Sequence, residues 1–329
     1  MPLSVDMPLE QLKKYQGSSK KPEDFEEYWS EILKKRKIFH RDIKIEKNEF
    51  ETPFCECYDM FFQGEEEAII HVKYLKPKNI LGKIPAIIEF HGYGGCSKDW
   101  TYKLPYTACG IAVFSMECRG QMGDSSDSFG ADNHFRNCNL IRGVMTPQDL
   151  YYKKVFLDAL TLTDIVMGIE YIDTDKIGAM GYSQGGGIAL ALAALNRDIK
   201  KVFAVYPFLS DYRRCWNMDT GAAYEEIKDY FRQRDPQHKQ EEEFFNNLGY
   251  VDIQNMAHWI KADVVMTTGL MDKVCPPSTQ FAVYNKLLCR KKHLIFPEYG
   301  HEDMLNGLQD ENIKWAMELL NELETRRKN

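Results

Sequence analysis

Gly181-Tyr182-Ser183-Gln184-Gly185 places a serine between two glycines, each two residues away. The apolar run Ile177–Gly181 precedes it, and a helix-forming run, Gly186–Asn196, follows. A nucleophilic serine needs this strand, tight turn and helix, because it sits in a strained turn with its Oγ exposed. The flanking glycines leave room for the crowded backbone. The helix start beyond Ser183 also aims unpaired N–H groups at the place where a carbonyl oxygen would gain charge. The bland alternative is a glycine-rich turn with an ordinary serine, but strain of that kind is rarely kept without use. Such a serine needs a base, and the base needs an acid. In this arrangement they follow in the order Ser, acid, His. Val264–Thr268 leads into Asp272, and Leu294–Pro297 leads into His301, so both residues belong at strand ends on the rim that carries Ser183. His301 is the expected proton carrier and Asp272 its orienting carboxylate. A turn-capping Asp and a His at a helix start are the structural alternatives. Glu302 adjoins His301, but a sequence neighbour rarely reaches the right ring nitrogen.

A second donor to a developing oxyanion is expected after another strand. His91-Gly92-Tyr93-Gly94-Gly95 follows Ala86–Phe90, so the Tyr93 N–H is paired with the Gln184 N–H as the expected oxyanion hole. His91 reads as a buried structural residue. His40, His71, His134, His238, His258 and His293 form no pattern suggesting metal or catalysis. Arg119 is either a substrate-binding cation or a buried anchor for the loop around residues 120–150. A neutral ester offers no charge to bind, so the anchor is favoured, with Asp158 as its partner. Pro207-Phe208-Leu209 fits an acyl-pocket wall or simple core packing equally well.

The elements that must position these residues are read from periodicity. Residues 1–40 form a helical arm: Pro22-Glu23-Asp24 marks a helix start, and Phe25, Tyr28, Trp29, Ile32 and Leu33 recur at helical spacing. From about Ile43 to Pro77 the period is two, as in antiparallel strands. After Pro85, short apolar runs alternate with helices, and Val155, Ala159, Leu162, Val166 and Ile169 make a buried stripe on one of them. That order predicts a single domain, residues 1–329, with a mostly parallel sheet covered on both faces and antiparallel strands at its start. Residues of about 211–260, helical and charged, are expected as an insertion.

The chain has 329 residues, 44% of them hydrophobic, and a formal charge of −7. It is long enough for a large core without staples, and an acidic chain gains nothing from a phosphate backbone, which argues against nucleic acid as a partner. The longest apolar run is too short for a bilayer. The first residues lack the charged and apolar regions of an export signal. The nine scattered cysteines complete neither a disulfide framework nor a zinc quartet. The expectation is therefore reduced thiols in a cytoplasm, with no metal and no cofactor.

Arg119-Gly120-Gln121, the Gly-Tyr-Ser-Gln-Gly elbow and His301-Glu302 together resemble the motifs of carbohydrate esterase family seven, the acetyl xylan esterases and cephalosporin-C deacetylases. Met7–Leu33 is similar to that family's N-terminal arm, and Gly269–Thr279 to its acid-bearing loop, so the likeness spans nearly the whole chain. The resemblance implies an α/β-hydrolase fold. It also implies Ser183, Asp272 and His301 as triad, and Tyr93 and Gln184 as oxyanion donors. The implied reaction is deacetylation of xylo-oligosaccharides, small sugars and cephalosporin-C-type acetates, by a ring-shaped hexamer. Asn139–Gly143 departs from the threonine-containing form associated with the family. Two other readings share the elbow. A prolyl-oligopeptidase-like serine peptidase usually carries a propeller domain, and no blade repeat is present. A catalytically inactive binding scaffold would not need Ser, Asp and His at strand ends.

Overall fold

The computed structural model describes residues 5–36, 43–127, 139–303 and 306–326, the last six of these by backbone alone. His40, His134 and the middle of the 120–150 loop lie outside the described residues. Nine strands form one sheet: β1 (Lys44–Thr52), β2 (Cys55–Gln63), β3 (Ile69–Pro77), β4 (Ile84–Phe90), β5 (Ala112–Met116), β6 (Ile172–Tyr182), β7 (Ile199–Val205), β8 (Asp263–Gly269) and β9 (Lys291–Phe296). Their spatial order is β1-β2-β3-β5-β4-β6-β7-β8-β9. The pairs among β1, β2, β3 and β5 are antiparallel, and every pair from β5 through β4 to β9 is parallel.

The helices are α1 (Leu9–Leu12), α2 (Phe25–Lys35), α3 (Leu104–Ala108), α4 (Tyr151–Met167), α5 (Gln184–Leu195), α6 (Tyr212–Asn217), α7 (Glu225–Gln233), α8 (Glu241–Leu248), α9 (Ile253–Met256), α10 (Pro277–Lys286) and α11 (Leu308–Arg326). They cover both faces of the sheet, which explains why the parallel strands read as apolar runs rather than as alternation. Ala86, Ile88 and Phe90 of β4 face the larger core cluster, with α4 and α5, while Ile87 joins a second cluster that includes Trp315 and Leu319 of α11. On α4 the stripe Val155, Ala159, Leu162 and Val166 is fully buried. The helix stops before Ile169, at Gly168.

The helical segment expected near 211–260 lies between β7 and β8 as α6 to α9. The arm packs against it. Trp29, 1% exposed, donates its indole N–H to Tyr250 O at 2.9 Å, and Phe25 and Tyr28 stack on the Tyr250 ring. The chain fills the slot of β4 before that of β5, then crosses to β6 on the other side of β4. The C-terminal ends of β4 and β6 therefore flank a topological switch point, where open α/β sheets form their crevices. Tyr93 follows β4 and Ser183 follows β6.

Candidate functional site

Ser183 joins β6 to α5 with φ 55° and ψ −117°, a left-handed conformation that a residue with a Cβ adopts only under constraint. The constraint is visible. Ser183 donates its N–H to Val205 O at 2.9 Å, and its carbonyl accepts from Phe208 at 3.0 Å and Gly187 at 3.1 Å. A Cβ at Gly185 would lie 2.0 Å from Phe90 O, and one at Gly181 would lie 2.4 Å from the Gly185 carbonyl carbon. Both glycines are therefore required for β4, β6 and α5 to meet this closely. Gln184 opens α5, so its N–H has no intrahelical acceptor.

The expected acid and base meet. His301 Nδ1 lies 2.8 Å from Asp272 Oδ2. The other carboxylate oxygen accepts from the N–H groups of Val274 and Cys275, each at 2.8 Å, and Gln280 Nε2 donates to Oδ2 at 3.2 Å. A carboxylate in that position accepts, so Nδ1 carries the ring proton and Nε2 is left as the base. Ser183 and His301 line the same two cavities. The Tyr206 ring lies 4.5 Å from the imidazole, tilted by 52°. Glu302 turns back to accept from Gly300 N–H at 3.0 Å, so it is not the acid. Asp272, Cys275 and His301 are close enough to hold a metal ion. The donor set does not suit one: Asp272 is already filled with hydrogen bonds, and burial together with the Asp272 charge pushes the Cys275 thiol well above its usual value. Metal binding needs the thiolate.

Tyr93 and Gln184, the expected oxyanion donors, flank this crevice. The Tyr93 phenol donates to Glu226 Oε1 of α7 and accepts from Asn139 N–H at 2.9 Å and Leu140 N–H at 3.2 Å. Glu226 Oε2 accepts from Leu140 N–H at 2.9 Å. Burial pushes the Glu226 carboxyl up to about 7, with Tyr93 and the Leu140 amide opposing. The loop after β4, the insertion and the end of the 120–150 loop are thus tied at one phenol. The Gln184 side chain is fully buried and bonds Gln121 at 2.7 Å and Tyr152 at 2.9 Å. Gln121 also accepts from Gly94 N–H at 2.8 Å.

The remaining expectations divide. His91 is structural: its Nε2 accepts from Cys118 N–H at 2.9 Å, Nδ1 meets Gly92 O at 2.8 Å, and burial keeps it neutral. Arg119 is the anchor. It is wholly buried and grips Asp158 through two bonds at 2.7 and 2.8 Å. Phe208 lines a cavity of about 290 Å³ with Tyr93, Ala222, Ala223, Tyr224 and Val274, whereas Leu209 is core. Residue types alone missed Gln280, Glu226 and Tyr224. Glu226 and Tyr224 come from a segment far from the motifs they support, whereas Gln280 lies only eight positions after Asp272.

The family described as acetyl xylan esterase (AXE1) matches residues 1–319. The chain is 26% identical over 307 residues to the acetyl esterase Axe7A of Xylanibacter ruminicola, covering 91% of this chain and 67% of that one. Among solved structures, acetyl xylan esterase 1 from Thermoanaerobacterium sp. JW/SL YS485 superposes with a TM-score of 0.92 at 46% identity, covering 95% of this chain and 99% of that one. The acetyl xylan esterase from Paenibacillus sp. R4 gives 0.87 at 33% identity, covering 96% and 99%. The Pyrococcus horikoshii acylaminoacyl peptidase, at 16% identity and a TM-score of 0.58, shares the fold alone, with 90% of this chain matching 43% of that one.

Proposed function

The chain belongs to the acetyl xylan esterase family, has its α/β-hydrolase fold and is a carboxylic-ester hydrolase for acetyl esters; from that premise we propose that Ser183, His301 and Asp272 carry the reaction. His301 Nε2 takes the Ser183 proton as Oγ attacks the acetyl carbonyl carbon. The tetrahedral oxyanion is received by the N–H groups of Gln184 and Tyr93. The imidazolium, steadied by Asp272, returns the proton to the departing alcohol oxygen and leaves an acetyl-serine. Water, deprotonated by His301, then releases acetate by the same route. The acetyl methyl lies in the apolar cavity between Phe208, Tyr224 and Val274, while the alcohol leaves on the opposite side.

The observation that carries this reading is the 2.8 Å contact of His301 with Asp272 beside a serine held at positive φ. Acetylated xylo-oligosaccharides and small acetylated sugars are the substrates we infer, with cephalosporin-C-type acetates tolerated because the alcohol half leaves toward open space. A homohexamer is the proposed assembly, and light scattering giving a monomer would refute it. A cytoplasmic site is also proposed. It is supported by the eight unpaired cysteines among the described residues, two of which, Cys55 and Cys57, stand unbridged with sulfurs 3.9 Å apart. Among the described residues no helix is long and apolar enough to cross a membrane. The test is hydrolysis of p-nitrophenyl acetate beside a prolyl anilide. Acetate turnover that disappears in Ser183→Ala, with no anilide cleavage, is expected; anilide cleavage would favour a peptidase.

A further inference from the structure

Two cavities meet at Ser183 and His301, and their linings differ: one is almost wholly apolar, the other mixes polar and aromatic side chains. The one facing α5 and the insertion is apolar. The other, about 240 Å³, lies on the α3 and α11 side of the sheet. Its walls carry Glu89, Lys98, Asp303 and Gln309, together with the tyrosine rings 102 and 182.

Glu89 is the anomaly. It stands in β4, where every neighbour is apolar, and points to the same face as Ile87. A strand buried on both faces rarely carries a carboxylate, and the ion pair with the buried Lys103 engages only one of the Glu89 oxygens. Among the described residues its buried Oε2 accepts no hydrogen bond, while the side chain as a whole keeps 17% exposure where it lines the cavity. The nearest cation, Lys103 Nζ, is 3.4 Å away and is itself committed to the carbonyl of Ser97. Buried carboxylates normally have their acceptor sites filled; Glu89 turns Oε2 to Lys103 and leaves the rest of its carboxylate to the cavity it lines. At the mouth, Tyr102 is 60% exposed, and Lys98 Nζ lies over its ring at 5.1 Å and over Tyr182 at 6.0 Å. Tyr182 is held by Gln309 and Asn312, which both donate to its hydroxyl.

We propose that this polar cavity binds the alcohol half of the substrate as a single monosaccharide ring, with Glu89 accepting from its hydroxyls and Tyr102 packing on its face. The assignment rests on the reading that Ser183 attacks an acetyl ester whose methyl sits in the apolar cavity. A neutral polyol, rich in O–H donors, suits walls that set two carboxylates, Glu89 and Asp303, against one lysine, Lys98. Its hydroxyls are the donors Glu89 lacks, and its ring faces match tyrosine. The volume falls below the ~300–1,000 Å³ of a drug-sized pocket, so one ring enters and further sugar units must lie outside. Specificity here thus resides in the leaving group.

The experiment compares kcat/KM for a mono-acetylated methyl xyloside with kcat/KM for ethyl acetate, in the wild type, Glu89→Gln and Tyr102→Ala. Methyl xyloside itself is tested as an inhibitor of ethyl acetate hydrolysis. The sugar-to-ethyl ratio should fall at least tenfold in Glu89→Gln and at least threefold in Tyr102→Ala. Competitive inhibition by methyl xyloside should weaken in both. Tyr102 is exposed, so its variant folds even if Glu89→Gln, which leaves Lys103 without its partner, does not. A ratio within twofold of wild type in the folded variants, or absence of inhibition in the wild type, overturns the subsite. Failure of the underlying reading looks different: Ser183→Ala would then retain ethyl acetate turnover.

Discussion

Replacing Glu226 by Ala removes the acceptor that the Tyr93 phenol and the Leu140 N–H share. Leu140 keeps only its 3.2 Å contact to the Tyr93 oxygen, and the phenol loses its acceptor in a site where Glu226 is 8% exposed. The phenol is the buried donor left unpaired, which costs about 1–3 kcal/mol, so unfolding free energy should drop by about that much. The catalytic effect follows from the same geometry. Tyr93 is held from its far end, so freeing the phenol lets the 92–95 turn, and with it the proposed oxyanion donor, drift. Losing such a donor outright costs about 100–1,000-fold in kcat. Displacement should cost less, about tenfold to a hundredfold. Steady-state kinetics with p-nitrophenyl acetate should therefore show kcat falling while KM changes less than threefold, because the ground-state ester does not use the oxyanion contact. Glu226→Gln keeps one acceptor and should recover most of the rate. An Ala variant that melts earlier but keeps wild-type kcat would refute the link between the insertion and the oxyanion donor.

Other predictions rest on separate contacts. Arg119→Ala strands the buried Asp158 carboxylate, which should cost about 3–5 kcal/mol; at about 1.5 °C per kcal/mol for a chain this size the melting temperature should fall by roughly 4.5–7.5 °C. A raised KM for a neutral acetate with unchanged melting would instead make Arg119 a substrate contact. His71 lies buried between Asp59 at 2.8 Å and Glu117 at 2.9 Å. Burial disfavours its charge, but the two carboxylates outweigh that and raise its pKa. Its contribution to stability should be full below about pH 6.5 and be lost as pH rises through the raised folded value. Melting temperatures measured from pH 6 to 9 should show that loss in the wild type and not in His71→Gln. Glu117 is also buried, but His71, Ser97 and the Asp124 N–H hold its carboxyl down at about 2, so its share is present above about pH 4.5 and lost as pH falls toward 2. Prolonged chelation should leave acetate turnover unchanged, measured against an untreated control; a loss restored by one added metal would overturn the metal-free reading.

Much of the site was legible because backbone geometry leaves marks in sequence. Ser183 needs glycines at 181 and 185 for steric reasons, and Asp272 and His301 follow strands whose apolar runs are unmistakable. Arg119 was traceable to Asp158 because a buried arginine must find a carboxylate. Glu226 was not legible: 133 positions separate it from Tyr93, and nothing in the charged helix Glu225–Gln233 distinguishes this carboxylate from its solvated neighbour Glu225. Gln280 is hidden for a different reason: it lies only eight positions after Asp272, but an amide in the first turn of α10 carries no spacing signal. His71 was read only as one position in an alternating strand, because burial on both faces of β3 depends on loops that no local pattern specifies. Glu89 did leave a mark, a lone charge inside an apolar strand.

Ser183 is proposed to form the acyl-enzyme with His301 as its base. A fluorophosphonate probe, which captures an activated serine, followed by peptide mass spectrometry, tests it most directly. One equivalent of label should appear on the peptide containing Ser183 as esterase activity is lost in parallel. Ser183→Ala and His301→Ala should remain unlabelled over the same interval while keeping the wild-type fold by circular dichroism. Label on another serine, or full activity after complete labelling of Ser183, would contradict the account.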